Sequence, residues 1–104
     1  MNKEKFVELM KQYGDAYVTY VSPNSRKEKF NVGTIDFDNP YIESKPMTIP
    51  VDPTKVVMFC WDTDSYRQVD PATVIRVDSL AAELEKARVR NVRRNNDRNS
   101  VNVR

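Results

Sequence analysis

The sequence predicts a mainly β, α+β fold: a small half-open barrel of about five strands with a helix at each end. Three observations predict it. Runs of β-branched and aromatic residues, "DAYVTYVS", "KFNVGTIDF" and "KVVMFCW", are separated by polar or proline-bearing segments. The stretch "WDTDSYRQVDPATV" reads as a strand end, a tight turn, a second strand and a small knuckle at Asp70-Pro71. Helical patterning appears only before Gly14 and after Ser79.

Phe6, Leu9, Met10 and Tyr13 fall at i, i+3, i+4 and i+7, which predicts a helix over about 3–13. Gly14 ends it, because glycine takes left-handed conformations freely. "DAYVTYVS" predicts a strand at 16–22, and "PNSRKEK" a polar turn. A strand follows at 29–37. Its alternation changes parity between Phe30/Val32 and Ile35/Phe37, and a bulge at Gly33 would restore one face. The segment 38–54 has no period, and Pro40, Pro46, Pro50 and Pro53 exclude a central strand. It reads as a long loop with a short edge strand around 47–49, or as a binding loop offering Tyr41, Ile42 and Met47. "KVVMFCW" (55–61) is continuously apolar, as a strand covered on both faces would be. "DTDS" is a turn and "YRQVD" a short strand. Pro71 presets a tight turn or 3₁₀ step across "PATV", and "IRVDS" is the last strand. Asp78 or Ser79 caps a helix from Leu80, with Leu80, Leu84 and Ala87 on one face, fraying within "RRNND". The predicted core is Tyr17 or Val18, Phe30, Ile35, Val57, Phe59, Val69 and Ile75.

At 104 residues the chain divides into one small domain, residues 1–87, and a basic Arg/Asn-rich arm, residues 88–104. Cys60 is alone in an apolar run and reads as a small buried hydrophobe. "MNKEKFVELMKQYG" lacks a signal-peptide core, and no apolar run approaches the roughly 20 residues of a membrane span, so the expected setting is the cytoplasm. The net charge of +2 conceals an asymmetry. Residues 1–85 hold 10 Lys+Arg against 14 Asp+Glu, whereas residues 86–104 hold 7 against one.

The run "KVVMFCW–DTDS–YRQV–DPATV–IRVD" resembles, in layout, the second half of an SH3-like small barrel of the KOW and Tudor type. With the two earlier strands the resemblance covers about residues 16–78. The KOW glycine is not evident, and the proline-bearing loop falls in an unusual place. Being short, strongly charged and glycine-poor, the chain also resembles small bacteriophage accessory proteins. SH3-like barrels bind nucleic acid, peptides or other proteins, and the fold does not choose among them.

Asp62, Asp64 and Asp70 invite a calcium reading, but an EF-hand loop counted from Asp62 would have Arg67 and Thr73 where glycine and glutamate are required. They read instead as turn formers. Trp61 and Tyr66 flank the turn. Trp61 reads most simply as core; exposed, these two and Tyr41 would offer a stacking or partner-contact surface. Asp36 and Asp38 share a strand face without a third ligand. The chain has no histidine and only two glycines, Gly14 and Gly33, so the commonest general base and a glycine-rich phosphate loop are excluded. No catalytic residue, metal or cofactor is expected.

The arm carries Arg88, Arg90, Arg93, Arg94, Arg98 and Arg104. Guanidinium forks match phosphate oxygens, and the interleaved asparagines add neutral donors and acceptors. The function expected is therefore non-enzymatic binding of DNA or RNA with little sequence preference. One alternative is a solvated end, and another is an arm docking on an acidic protein or on the chain's own acidic body. From a different class comes a protein-interaction module or inhibitor, as a phage protein acting on host machinery would be, using the 38–54 loop and the acidic body.

Overall fold

A computed structural model describes residues 1–90. Arg93, Arg94, Arg98 and Arg104 lie outside the described residues. The fold is α+β, with five strands in one antiparallel sheet: β1 (Ala16–Val21), β2 (Glu28–Thr34), β3 (Val56–Cys60), β4 (Ser65–Val69) and β5 (Val74–Ser79). The strand order is β4-β3-β2-β1-β5, so the sheet is open, with β4 and β5 at its edges.

Helix α1 (Lys3–Tyr13) forms where periodicity placed it. Asn2 caps it by accepting from the Lys5 amide at 2.8 Å. Gly14 closes it at φ 74°, donating its amide to the Met10 carbonyl. Phe6 and Met10 are fully buried against one face of the sheet, among Ala16, Val18, Met58 and Val77. Burying each such side chain contributes about 1.5–3 kcal/mol.

On the opposite face, α2 and the loop after it lie over β3 and β4. The segment 38–54 contains a short helix, α2 (Pro40–Glu43), capped by Asn39, and no edge strand at 47–49. The Asn-Pro pair is the helix start: asparagine caps and proline occupies the first turn, where no amide is needed. Ile42 is fully buried and so is unavailable as a binding residue, whereas Tyr41 and Met47 are exposed. Phe59, of opposite parity to Met58 and Cys60, meets Tyr41, Trp61 and Tyr66 edge-on or nearly so. Val18, Phe59 and Val69 are buried as expected, and Ile35 packs on the core. Tyr17 and Val57 are half-buried.

Two core assignments are corrected. Phe30 is 52% exposed and Ile75 44%. On β2 the inward positions are Asn31 and Gly33, both buried, so the apolar Phe30 and Val32 mark the outer face. Phe30 stacks on Tyr17 there, with ring centroids 4.7 Å apart. The bulge is not at Gly33. It lies where β1 meets β5: Thr19 pairs with Arg76 and Tyr20 with Val74, leaving Ile75 as the extra residue. Gly33 serves close approach instead. A Cβ there would stand 2.2 Å from the Phe59 carbonyl oxygen.

The 3₁₀ turn Pro71–Thr73 follows β4, with the Asp70 carboxylate accepting from the Ala72 amide at 3.0 Å. Strand β5 passes without a connecting residue into helix α3, which occupies residues 80–90 of the described chain. The Ser79 hydroxyl caps α3 by accepting from the Ala82 amide at 3.2 Å. The Leu80 amide donates to the Asp15 carbonyl at 3.1 Å. Leu84 on α3 is 60% exposed. No helix among the described residues is long and apolar enough to cross a membrane.

Gly33→Ala should destabilise the domain by about 1–3 kcal/mol, because the obstacle is backbone. Thermal unfolding should show a lowered Tm; an unchanged Tm would remove the close-approach account. Thr19 is buried with no partner for its hydroxyl among the described residues. Thr19→Val should therefore be neutral or stabilising by about 1 kcal/mol in urea unfolding.

Candidate nucleic-acid interface

Strands β1 and β2 stay paired over six positions, from Ala16↔Gly33 to Val21↔Glu28. Strands β2 and β3 share only Gly33↔Cys60 and Thr34↔Phe59. Beyond that point the β1–β2 hairpin and the β3–β4 hairpin diverge. Asp62 secures the vertex. Its carboxylate accepts from the Val32 amide at 3.1 Å and from Asn31 Nδ2 at 3.0 Å, while the Trp61 amide donates to the Val32 carbonyl at 2.7 Å. A side-chain carboxylate thus replaces strand pairing where β2 leaves β3.

The divergence leaves a cleft of about 700 Å³ between the β1–β2 hairpin and β4. Lys29 from β2, Lys55 just before β3 and Arg67 from β4 line it. Of the 14 carboxylates in residues 1–85, only Asp70 lines it, so the wall charge is positive. Lys29 and Arg67 form no ion pair among the described residues, and Lys55 makes only a long one, 3.7 Å from Asp52. Tyr20, Asn31, Gln68 and Thr73 supply neutral polar groups.

None of the three lining cations was singled out from the sequence. They are far apart along the chain, Lys29 where a polar turn meets a strand, Lys55 at the start of the apolar strand and Arg67 within the short strand "YRQVD". Their convergence depends on the splay of the hairpins, which no local pattern encodes.

The residues that were singled out are placed differently. Arg88 is exposed on α3 and forms a two-bond pair with Glu85 at 2.6 and 3.1 Å. Arg90 is exposed at the end of the described helix. Trp61 is 37% exposed rather than core; its indole N–H donates to the Asp15 carboxylate at 2.9 Å. It stacks on Tyr41 at 6.3 Å. Tyr66 is half-buried, with its hydroxyl donated to the Ile42 carbonyl at 2.9 Å. Structure therefore brings Trp61, Tyr41 and Tyr66 together around Phe59, away from Arg88 in sequence and element.

The acids of "WDTDS" serve the fold. Asp64, at φ 52°, accepts from the Tyr41 hydroxyl at 2.5 Å and from Lys45 Nζ at 2.9 Å, tying α2 to the β3–β4 turn. The Tyr41 hydroxyl first, and then the Lys45 ammonium, hold the Asp64 carboxyl below its ordinary value. Burial pushes the Cys60 thiol up to about 11, which leaves it protonated and inert at neutral pH. No group of three or more metal-ligating side chains occurs among the described residues.

A carboxylate with a lowered folded value stabilises above its unfolded pKa, and that contribution is lost as pH falls through the folded value. The Asp64 clamp should therefore hold fully above the ordinary 3.8 and open below it. Trp61 fluorescence should report the opening in acid, and Asp64→Asn should remove that component at all pH values. An identical acid transition in the variant would exclude the clamp. Thiol-specific labelling of Cys60 should be negligible in the native protein and complete in denaturant. No protein-family model, curated protein or solved structure matches the chain.

Proposed function

We propose that the protein is a non-enzymatic nucleic-acid-binding accessory protein. The observation that carries this reading is the cleft in which Lys29, Lys55 and Arg67 converge from three segments while nearly every carboxylate lies elsewhere. A polyanion in the cleft would place phosphates against these cations and release condensed counterions. The arginine-rich residues 88–104 would add contacts with little sequence preference. The strand order β4-β3-β2-β1-β5, with a 3₁₀ turn between β4 and β5, supports reading the sheet as an SH3-like small barrel. The resemblance to phage accessory proteins and a cytoplasmic setting fit the same reading.

A second reading has its own observation. The exposed Tyr41–Trp61 stack, held by Asp64 and Lys45, is a rigid aromatic patch of the kind that anchors protein partners. On that reading the protein is an interaction module or inhibitor that uses the 38–54 loop.

Fluorescence anisotropy with short DNA and RNA, at two salt concentrations, separates the two. Neutralising Lys29, Lys55 and Arg67 to glutamine should weaken binding and flatten the salt dependence by about 2 units of log K per log salt. A chain stopped at Ala87 should also bind more weakly. Absence of binding at low salt would overturn the nucleic-acid reading. A specific partner captured from nuclease-treated lysate, and lost on Trp61→Ala, would establish the second.

A further inference from the structure

We infer that the cleft takes single-stranded rather than duplex nucleic acid, and that the Asn31 amide on its wall contacts the base; this rests on the nucleic-acid reading above. A volume of about 700 Å³ suits a drug-sized ligand, on the order of one or two nucleotides. A duplex keeps its bases stacked and paired, so none can turn into a cleft of this size and only the backbone would meet the rim. A single strand can lay its phosphates on Lys29, Lys55 and Arg67 and turn a base inward.

Asn31 is the side chain built to receive that base. It lines the cleft yet is only 5% exposed. Its amide is fixed at both ends. The Tyr20 hydroxyl donates to Oδ1 at 2.8 Å, and Nδ2 donates to Asp62 Oδ2 at 3.0 Å. A carboxylate only accepts, so Nδ2 must face Asp62 and the amide cannot flip. One N–H of Nδ2 and one lone pair of Oδ1 are left without partners among the described residues. Adjacent donor and acceptor are what the edge of a base complements. Asp62 thus links the two features: it holds the Asn31 amide and, through the Val32 amide, the splay that opens the cationic wall.

The test uses the full chain with a labelled single-stranded DNA, a single-stranded RNA and the duplex of the same sequence, at one salt concentration. Two hydrogen bonds from the Asn31 amide that a duplex cannot receive should make single strands bind about tenfold more tightly than duplex. The side-chain amide resonances of Asn31 should shift on adding single strand and stay in place on adding duplex. Asn31→Ala should lose the preference while keeping the salt dependence. Tyr20→Phe, which removes one of the two bonds that hold the amide and leaves the Asp62 bond in place, should weaken the preference by a smaller factor than Asn31→Ala. Equal or tighter binding of duplex would overturn the inference, as would single-strand binding that leaves the Asn31 resonances unmoved. Absence of all nucleic-acid binding is a different result, since it removes the parent reading as well.

Discussion

The packing of Gly33 against the Phe59 carbonyl is the constraint on which the rest of the molecule depends. A sheet of five strands could lie flat, with β2 and β3 paired along their whole length. Here the backbones meet closely at one point and then part. The approach requires a residue without a side chain. The parting requires another acceptor for the β2 amide that β3 no longer serves, and Asp62 supplies it. Buried or half-buried backbone donors are costly when unpaired, so the vertex is stable only because both conditions hold together.

From that vertex the two faces of the molecule follow. On one side α1 seals the sheet with Phe6 and Met10. On the other, α2 and the loop after it cover β3 and β4 through a set of single polar contacts: Tyr66 to the Ile42 carbonyl, Gln68 to the Pro50 carbonyl, and Tyr41 and Lys45 to Asp64. The cleft occupies the gap between the hairpins. Its polarity is consistent with its position: Asn31 sits inward on β2 where a buried apolar residue would otherwise be expected, and it is bonded once at each end of its amide, to Tyr20 and to Asp62.

Much of the architecture was legible in the sequence because it is local. Phe6 and Met10 at helical spacing, Gly14 as terminator, Asp70-Pro71 as a knuckle and Ser79 as a cap each act within a few residues. What escaped was non-local. Phe30 and Val32 look like the inner face of a strand, yet the inner positions are polar Asn31 and small Gly33, chosen by the cleft and by the neighbouring backbone. The Asn39-Pro40 signal was present but was outweighed by the prolines around it. The candidate site divides in the same way. A run of arginines is visible to anyone reading along the chain, whereas Lys29, Lys55 and Arg67 become a group only when the hairpins splay.

The junction of β5 and α3 has a consequence of its own. Because Ser79 ends the strand and caps the helix, and the Leu80 amide is held by Asp15, the helix leaves the sheet from a fixed root. A ligand bound at the cleft and a contact made from the helix would then be joined by a stiff connection rather than a floppy tether. Their mutual effective concentration is set by distance and direction, high for a ligand that spans the two and negligible for one that does not. Length of ligand, more than its sequence, would then be what the molecule measures.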